Sequence, residues 1–124
     1  MDIIISNSSG KPIYEQITLQ IKEMIMNGTL KEGEALPSMR NLAKQLRISI
    51  ITTKRAYEDL ERDGFIQSFT GKGSFVAKQD KELIREEGLK VIEEHLTQAT
   101  EKAKQYGITQ KELIDLLKLI YEEE

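Results

Sequence analysis

The sequence predicts a mainly α-helical protein with one small β-hairpin and a helical C-terminal tail. Three observations support this fold class. Over most of the chain, apolar residues recur every three or four positions, which is the spacing of an amphipathic helix. From Phe65 to Ala77, apolar and polar residues instead alternate on both sides of a glycine-rich turn, which is typical of a two-stranded hairpin. After Gln79, apolar residues follow the spacing of a coiled-coil seam.

The composition indicates a soluble, highly charged chain in a reducing compartment. Of the 124 residues, 39% are apolar and 31% are charged, which suits one small domain with an appendage. The absence of cysteine excludes disulfides, thiolate metal sites and cysteine nucleophiles. No apolar run approaches the ~20 residues of a membrane span, and the N-terminus lacks the features of a signal peptide. We therefore expect a cytoplasmic protein without a membrane partner.

The first predicted helix follows a short N-terminal segment. Ile3 to Ser6 form either a short strand or an extended arm, and a turn follows. Pro12 suits the first position of a helix, because its fixed φ is helical and its missing N–H is not needed there. Gly28 suits the left-handed residue that ends the helix. The apolar face consists of Ile13, Ile17, Ile21, Met24 and Ile25.

Two further helices and a hairpin complete the N-terminal domain. Ser38 is placed to cap a helix from Met39 to Leu46, which is expected to bury Met39, Leu42, Ala43 and Leu46. Ser49 is placed to cap the next helix, from Ile50 to about Asp63, where Gly64 ends it. Two helices joined by a tight turn, of which the second is the longer, form a helix-turn-helix. The hairpin that follows directly is then the wing, so residues 1–78 are predicted to be a winged helix-turn-helix domain.

The tail, residues 79–124, is predicted to form two helices that mediate dimerisation. Gly107 ends the first helix, and Thr109 with Glu112 forms a capping box that begins the second. Two such helices expose more apolar surface than they can bury in each other, which implies a partner, most simply a second copy. The predicted dimerisation residues are Leu89, Ile92, Leu96, Ala99, Ala103 and Tyr106 on the first helix and Leu113, Leu117 and Ile120 on the second.

Charge is distributed unevenly along the sequence. The net charge of the whole chain is −3. Leu36 to Lys78 contain eight basic and four acidic residues, whereas Gln79 to Glu124 contain seven basic and twelve acidic residues. A basic middle and an acidic tail are typical of two surfaces with different partners, although charge also fluctuates along any chain.

Short segments from Lys11 to Val76 carry a resemblance to a known family. In order along the chain they are Pro12–Ile17, Gly28–Gly33, Leu36–Ala43, Thr53–Leu60, Gly64–Ile66 and Gly71–Val76. Together they resemble the DNA-binding domain of the GntR family of bacterial regulators. The Pro-Ile-Tyr-Glu-Gln opening and the short tail resemble its YtrA-like subfamily. The resemblance implies a transcription repressor that binds an inverted-repeat operator in double-stranded DNA as a homodimer and controls a nearby transporter operon.

The third helix is the expected reader of DNA sequence, since the major groove admits an α-helix. Arg40 resembles an arginine of the family that contacts phosphate or base, and the glycines of the wing allow a close approach to the minor groove. The family often has Glu at Met39 and Arg at Ile50, so base specificity does not carry over directly. Whether Ile50 and Ile51 face DNA or the core stays open. The predicted DNA-binding residues are Ser38, Arg40, Ser49, Ile50, Thr52, Lys54, Gly71, Lys72 and Gly73.

No catalytic residue, metal site or cofactor is predicted. His95 is the single histidine and lies among glutamates, so we interpret it as a solvated side chain. No P-loop or dinucleotide-binding glycine pattern is present. The alternative to a DNA-binding regulator is a winged-helix adaptor that binds proteins without reading DNA, against which the basic middle segment and the glycine-rich wing argue. The sequence identifies no small-molecule effector.

Overall fold

The computed structural model of the chain describes residues 1–123 and has two compact units, one from Met1 to Ile84 and one from Arg85 onward. The first unit contains three helices and an antiparallel hairpin, and the fourth helix of the chain begins within it. The mainly helical fold class with a small hairpin is therefore confirmed. The elements are α1 (Ile13–Met26), α2 (Met39–Leu46), α3 (Ile50–Arg62), β1 (Ile66–Phe69), β2 (Gly73–Val76), α4 (Lys81–Gln105) and α5 (Gln110–Glu123).

Helix α1 begins one residue later than the sequence predicted. Pro12 is the residue before the first helical turn, and its ψ of 150° is extended rather than helical. Its carbonyl accepts hydrogen bonds from the N–H groups of Glu15 and Gln16, so it still anchors the first turn. At the other end, Gly28 has the expected positive φ, 84°, which a side chain would disfavour.

The N-terminal segment is an extended arm rather than a strand, because side chains of α1 take the place of a neighbouring strand. Gln16 accepts a hydrogen bond from the N–H of Ser6 at 2.8 Å and donates to the carbonyl of Ser6 at 2.9 Å. Gln20 does the same for Ile4, at 2.9 and 2.8 Å. Ile3 and Ile5 pack against the core, whereas Ile4 is exposed. The arm is thus docked onto α1 through its backbone as well as its side chains.

The two helices of the helix-turn-helix, α2 and α3, both begin at the predicted residues. The hydroxyl oxygens of Ser38 and Ser49 accept hydrogen bonds from the N–H groups of Asn41, at 3.0 Å, and Thr52, at 3.3 Å. Both predicted caps are therefore confirmed. The turn between the helices passes through Arg47, which has a φ of 56°. A non-glycine residue in this left-handed region is uncommon, and the sequence did not predict it.

The wing is held by a third segment that the sequence analysis missed. β1 and β2 pair antiparallel, with Ile66 opposite Val76 and Phe69 opposite Gly73. On the other edge of β2, the N–H of Leu36 donates to the carbonyl of Ser74, and the N–H of Val76 donates to the carbonyl of Glu34, both at 2.9 Å. No strand was predicted in the segment before α2. This segment attaches the wing to the start of the helix-turn-helix.

The core of the first unit lies between α1, α2, α3 and the base of the wing. Of the residues expected to be buried by α2, Leu42 and Ala43 are buried, while Met39 and Leu46 are half-buried and pack on the core. The buried hydroxyl of Tyr57 donates to the carbonyl of Pro37 at 2.7 Å and so joins α3 to the residue before the α2 cap. The expected buried face of α3, namely Thr53, Ala56, Tyr57 and Leu60, is confirmed.

The tail forms the two predicted helices, α4 and α5. Gly107 follows α4 with a φ of 70°. The capping box is confirmed, since the N–H of Glu112 donates to the Thr109 hydroxyl and the N–H of Thr109 donates to the Glu112 carboxylate, both at 3.2 Å. Tyr106 lies just beyond the last residue of α4, Gln105, because the chain turns there. None of the described helices is long and apolar enough to cross a membrane.

Candidate nucleic-acid interface

The N-terminus of α2 presents a serine hydroxyl and an exposed arginine. The Ser38 oxygen accepts from a backbone N–H as the helix cap, which leaves its own O–H free to donate to another oxygen. Arg40 follows in the first turn and is exposed. No acidic side chain within residues 1–123 forms an ion pair with it. Free backbone N–H groups, a hydroxyl donor and an unpaired guanidinium together suit a phosphate.

The start of α3 is largely exposed, and Thr53 is its one fully buried side chain. Ser49, Ile50 and Ile51 are exposed, and Thr52 is half-buried. The two isoleucines retain 46% and 80% of their accessible surface, so the interpretation that they belong to the core is wrong. Periodicity could not decide this, because Ile50 and Ile51 are the first two residues of α3 and no earlier apolar residue of the helix marks its buried face.

Two cations follow on α3, and the structure distinguishes their roles. Arg55 lies 3.8 Å above the ring of Tyr14 and donates a hydrogen bond to its hydroxyl at 3.1 Å. Arg55 is therefore engaged by α1, as cation–π pairs of this geometry are favourable. Lys54 makes only a 3.9 Å contact with Glu58, and both side chains are well exposed. An exposed pair of this length contributes little, so the Lys54 ammonium is available to another anion.

The tip of the wing is a tight glycine turn with one cation. Gly71 and Gly73 have φ values of 77° and 103°, and the N–H of Lys72 donates to the carbonyl of Phe69 at 2.9 Å. Nothing in the structure lies within 4 Å of the positions that side chains at these glycines would occupy. Phe69 is half-exposed beside the Phe75 ring, 6.1 Å from centroid to centroid. Sequence reasoning treated Phe69 only as a strand residue.

The three groups of candidate DNA-binding residues belong to one compact unit. The wing and α2 are close, since Ser74 follows Gly73 and its carbonyl accepts from Leu36, two residues before Ser38. Two acids near the C-terminal end of α3 are partly neutralised. Asp63 pairs with Lys22 at 3.0 Å, and Asp59 pairs with Arg62 at 3.0 Å. Burial raises the pKa of the Tyr57 hydroxyl, which therefore stays protonated as the donor that braces α3.

The tail exposes most of the residues predicted for dimerisation. Leu89, Ile92, Leu96, Leu117 and Ile120 are each about half-exposed, and a groove of about 390 Å³ is lined by residues of both α4 and α5. Ala99 and Leu113 are half-buried. Ala103 is 7% exposed and so is already covered within the chain, whereas Tyr106 is 74% exposed outside the helix. Ile114 and Leu119 are also exposed and were not among the predicted residues.

Metal-binding potential is low in the described part of the chain. No group of three or more His, Cys, Asp or Glu residues there is arranged to hold an ion. His95 lies exposed on α4, and no described residue forms an ion pair with it. The geometry therefore offers exposed donors and cations on α2, α3 and the wing, together with an apolar tail.

Comparison with known proteins identifies the family. The family model described as "Bacterial regulatory proteins, gntR family" matches residues 13–76, from the start of α1 to the end of the wing. The chain belongs to the GntR family. The HTH-type transcriptional repressor YtrA from Bacillus subtilis (strain 168) is 36% identical over 118 residues, which cover 95% of this chain and 91% of that protein. This chain is therefore a DNA-binding transcriptional regulator, and its relatives are regulators rather than enzymes.

Solved structures of this GntR regulator's relatives agree with its fold. A GntR family transcriptional regulator from Listeria monocytogenes superposes with a TM-score of 0.73 at 30% identity, covering 90% of this chain and 96% of that one. AraR(DBD), solved in complex with an operator, superposes with a TM-score of 0.55 at 26% identity and covers 62% of this chain and 96% of that one. The winged-helix region is thus similar to a domain that binds operator DNA.

Proposed function

We propose that this GntR regulator is a homodimeric repressor that binds an inverted-repeat operator through α2, α3 and the wing. The observation that carries the proposal is the start of α3, where Ser49, Ile50 and Ile51 are exposed while the helix is anchored in the core from Thr53 onward. A repressor function is supported by the similarity to the repressor YtrA.

In this proposal, each element of the first unit has a separate task. The N-terminus of α3 enters the major groove, where the hydroxyls of Ser49 and Thr52 donate to phosphate or base edges and Lys54 neutralises a phosphate. The O–H of Ser38 and the guanidinium of Arg40 bind the neighbouring backbone. The wing brings Lys72 to the minor groove, because Gly71 and Gly73 have no side chain to keep the backbone away.

Dimerisation is assigned to the tail because of its exposed apolar surface. A half-exposed leucine or isoleucine gains roughly 1 kcal/mol when it is fully buried, and at least five such residues lie on α4 and α5. A two-fold dimer presents two copies of α3 to two half-sites, so the operator is expected to be an inverted repeat. Because the two protomers are linked, the second α3 meets its half-site at an effective concentration of about mM once the first α3 is bound.

The regulated genes and the compartment belong to the same proposal. The similarity to YtrA-type regulators leads us to propose that the operon lies next to this gene and encodes a transporter, with repression in the cytoplasm. No small-molecule effector is part of this proposal.

The test is a gel shift and footprint with DNA from upstream of the gene. We expect a retarded complex that survives excess unrelated DNA and a footprint of two inverted half-sites on one face of the duplex. Analytical ultracentrifugation of the free protein should give the mass of a dimer. A protein that shows no preference for its own upstream DNA would contradict the proposal and would favour the adaptor function. A single unpaired half-site per dimer would contradict the symmetry.

A further inference from the structure

The first turn of α3 carries two consecutive isoleucines that the core does not use. Ile51 is 80% exposed, and Ile50 is about half-exposed. The buried face of the same helix consists of residues that follow them, beginning with Thr53. A large apolar side chain left in water is unremarkable alone, but two adjacent ones at the tip of a reading helix call for a partner in the groove.

The chemistry of this tip limits what the isoleucines can recognise. Neither side chain has a hydrogen-bond donor or acceptor, and the nearby Thr52 N–H and Ser49 carbonyl are already engaged. The N–H of Thr52 donates to the Ser49 hydroxyl, and the Thr53 hydroxyl donates to the Ser49 carbonyl at 3.3 Å. In the major groove, the one apolar group on a base edge of unmodified DNA is the C5-methyl of thymine.

The surroundings of the two isoleucines favour DNA over an apolar protein partner. The next exposed residues along α3 are Lys54, Arg55 and Glu58, all charged, so no apolar patch continues from the tip. Arg47, exposed in the preceding turn, adds a further cation. Two apolar side chains with the cations Arg47 and Lys54 close to them in the sequence match a methyl group between phosphates better than a hydrophobic protein surface.

We propose that Ile50 and Ile51 read the C5-methyl of thymine in each operator half-site. This inference rests on the proposed function and deepens it, because it specifies which base feature α3 recognises. Sequence discrimination at this position is then apolar, with thymine preferred through its methyl group rather than through its hydrogen-bonding edge.

The test removes the methyl group alone. Each thymine of a half-site is replaced in turn by uracil, which pairs identically but lacks the C5-methyl, and binding of the full-length protein is measured by fluorescence anisotropy. We expect one or two positions per half-site at which uracil weakens binding about fourfold, and about fifteenfold when both half-sites are changed. At such a position, a 5-methylcytosine–guanine pair should bind more tightly than a cytosine–guanine pair, which separates the methyl contact from the hydrogen-bonding edge.

Variants connect the effect to the two isoleucines. Ile50→Ala and Ile51→Ala, singly and together, should weaken binding to thymine DNA and abolish the difference between thymine and uracil. Leu19→Ala, which shortens an exposed apolar side chain on α1, is the matched control and should keep the full difference. Circular dichroism melting curves confirm that each variant is folded.

The outcomes distinguish this inference from the function on which it rests. Specific operator binding with no sensitivity to uracil at any position, or with sensitivity that survives in the double alanine variant, overturns the methyl contact and leaves the regulator function intact. Failure of the wild-type protein to prefer its own upstream DNA overturns both.

Discussion

Replacing Gln16 with methionine tests how the N-terminal arm is held on α1. The side chain is 8% exposed and makes three hydrogen bonds to backbone groups: one from the N–H of Ser6 and two to the carbonyls of Ser6 and Lys11. Methionine has a similar length and helix propensity, so the change removes the polar contacts with little effect on α1 itself.

The expected magnitude follows from the burial of each bond. An ordinary hydrogen bond contributes about 0.5–1.5 kcal/mol net, and a buried group left without a partner costs more. All three bonds, including the one to the Lys11 carbonyl, are partly buried, so water replaces the lost partners only in part. We therefore expect the free energy of unfolding to fall by about 2 kcal/mol.

Urea unfolding followed by circular dichroism, at one fixed protein concentration, measures this loss. Gln20→Met is the matched control, because its bonds to Ile4 are solvent-exposed and its loss should stay below about 1 kcal/mol. Amide exchange at Ser6 should also accelerate in the Gln16 variant. Equal stability losses in the two variants, or unchanged exchange at Ser6, would refute the reasoning that the buried glutamine fixes the arm.

Three further predictions concern binding, assembly and pH. Replacing Arg40, Lys54 and Lys72 together with alanine should make the slope of log K against log salt concentration shallower, by about 1 for each replaced residue in each protomer. Anisotropy titrations measure this slope, and an unchanged slope would contradict the phosphate contacts. Leu96→Asp should yield monomers in ultracentrifugation, whereas a persistent dimer would place the interface elsewhere. Because burial raises the pKa of Tyr57 above its ordinary 10.0, the contribution of this residue to stability should be constant below about pH 10 and fall as the pH rises beyond it. Tyr57→Phe should therefore reduce the alkaline loss of stability measured by urea unfolding.

Much of the secondary structure was predictable because its signals are local. Ser38, Ser49 and Thr109 each cap a helix with their own side chain, and the positive φ values at Gly28 and Gly107 coincide with helix ends. Such features need only a few neighbouring residues, so a single sequence displays them. The bounds of α2 and the starts of α3 and α5 followed from them directly.

The features that were missed depend on residues far apart in the chain. The pairing of Leu36 with Ser74 joins segments that are separated by two helices, so no local sequence pattern predicts it. Arg47 adopts its left-handed φ because the turn between two packed helices requires it. The exposure of Ile51 likewise depends on how α3 is oriented by Thr53 and Tyr57 in the core. Residue types therefore suggested the candidate site, but only tertiary packing determined which side chains are accessible.

The attachment of the wing to the segment before α2 has an evolutionary consequence. Three backbone hydrogen bonds hold that segment to β2, and the Tyr57 hydroxyl holds its end to α3, so the N-terminus of α3 and the tip of the wing keep a fixed separation. One inserted base pair between the two contacted grooves would turn one of them by about 35° relative to the other. In the proposed complex, operators that diverge under selection for this protein could therefore exchange bases within a half-site far more readily than they could gain or lose one.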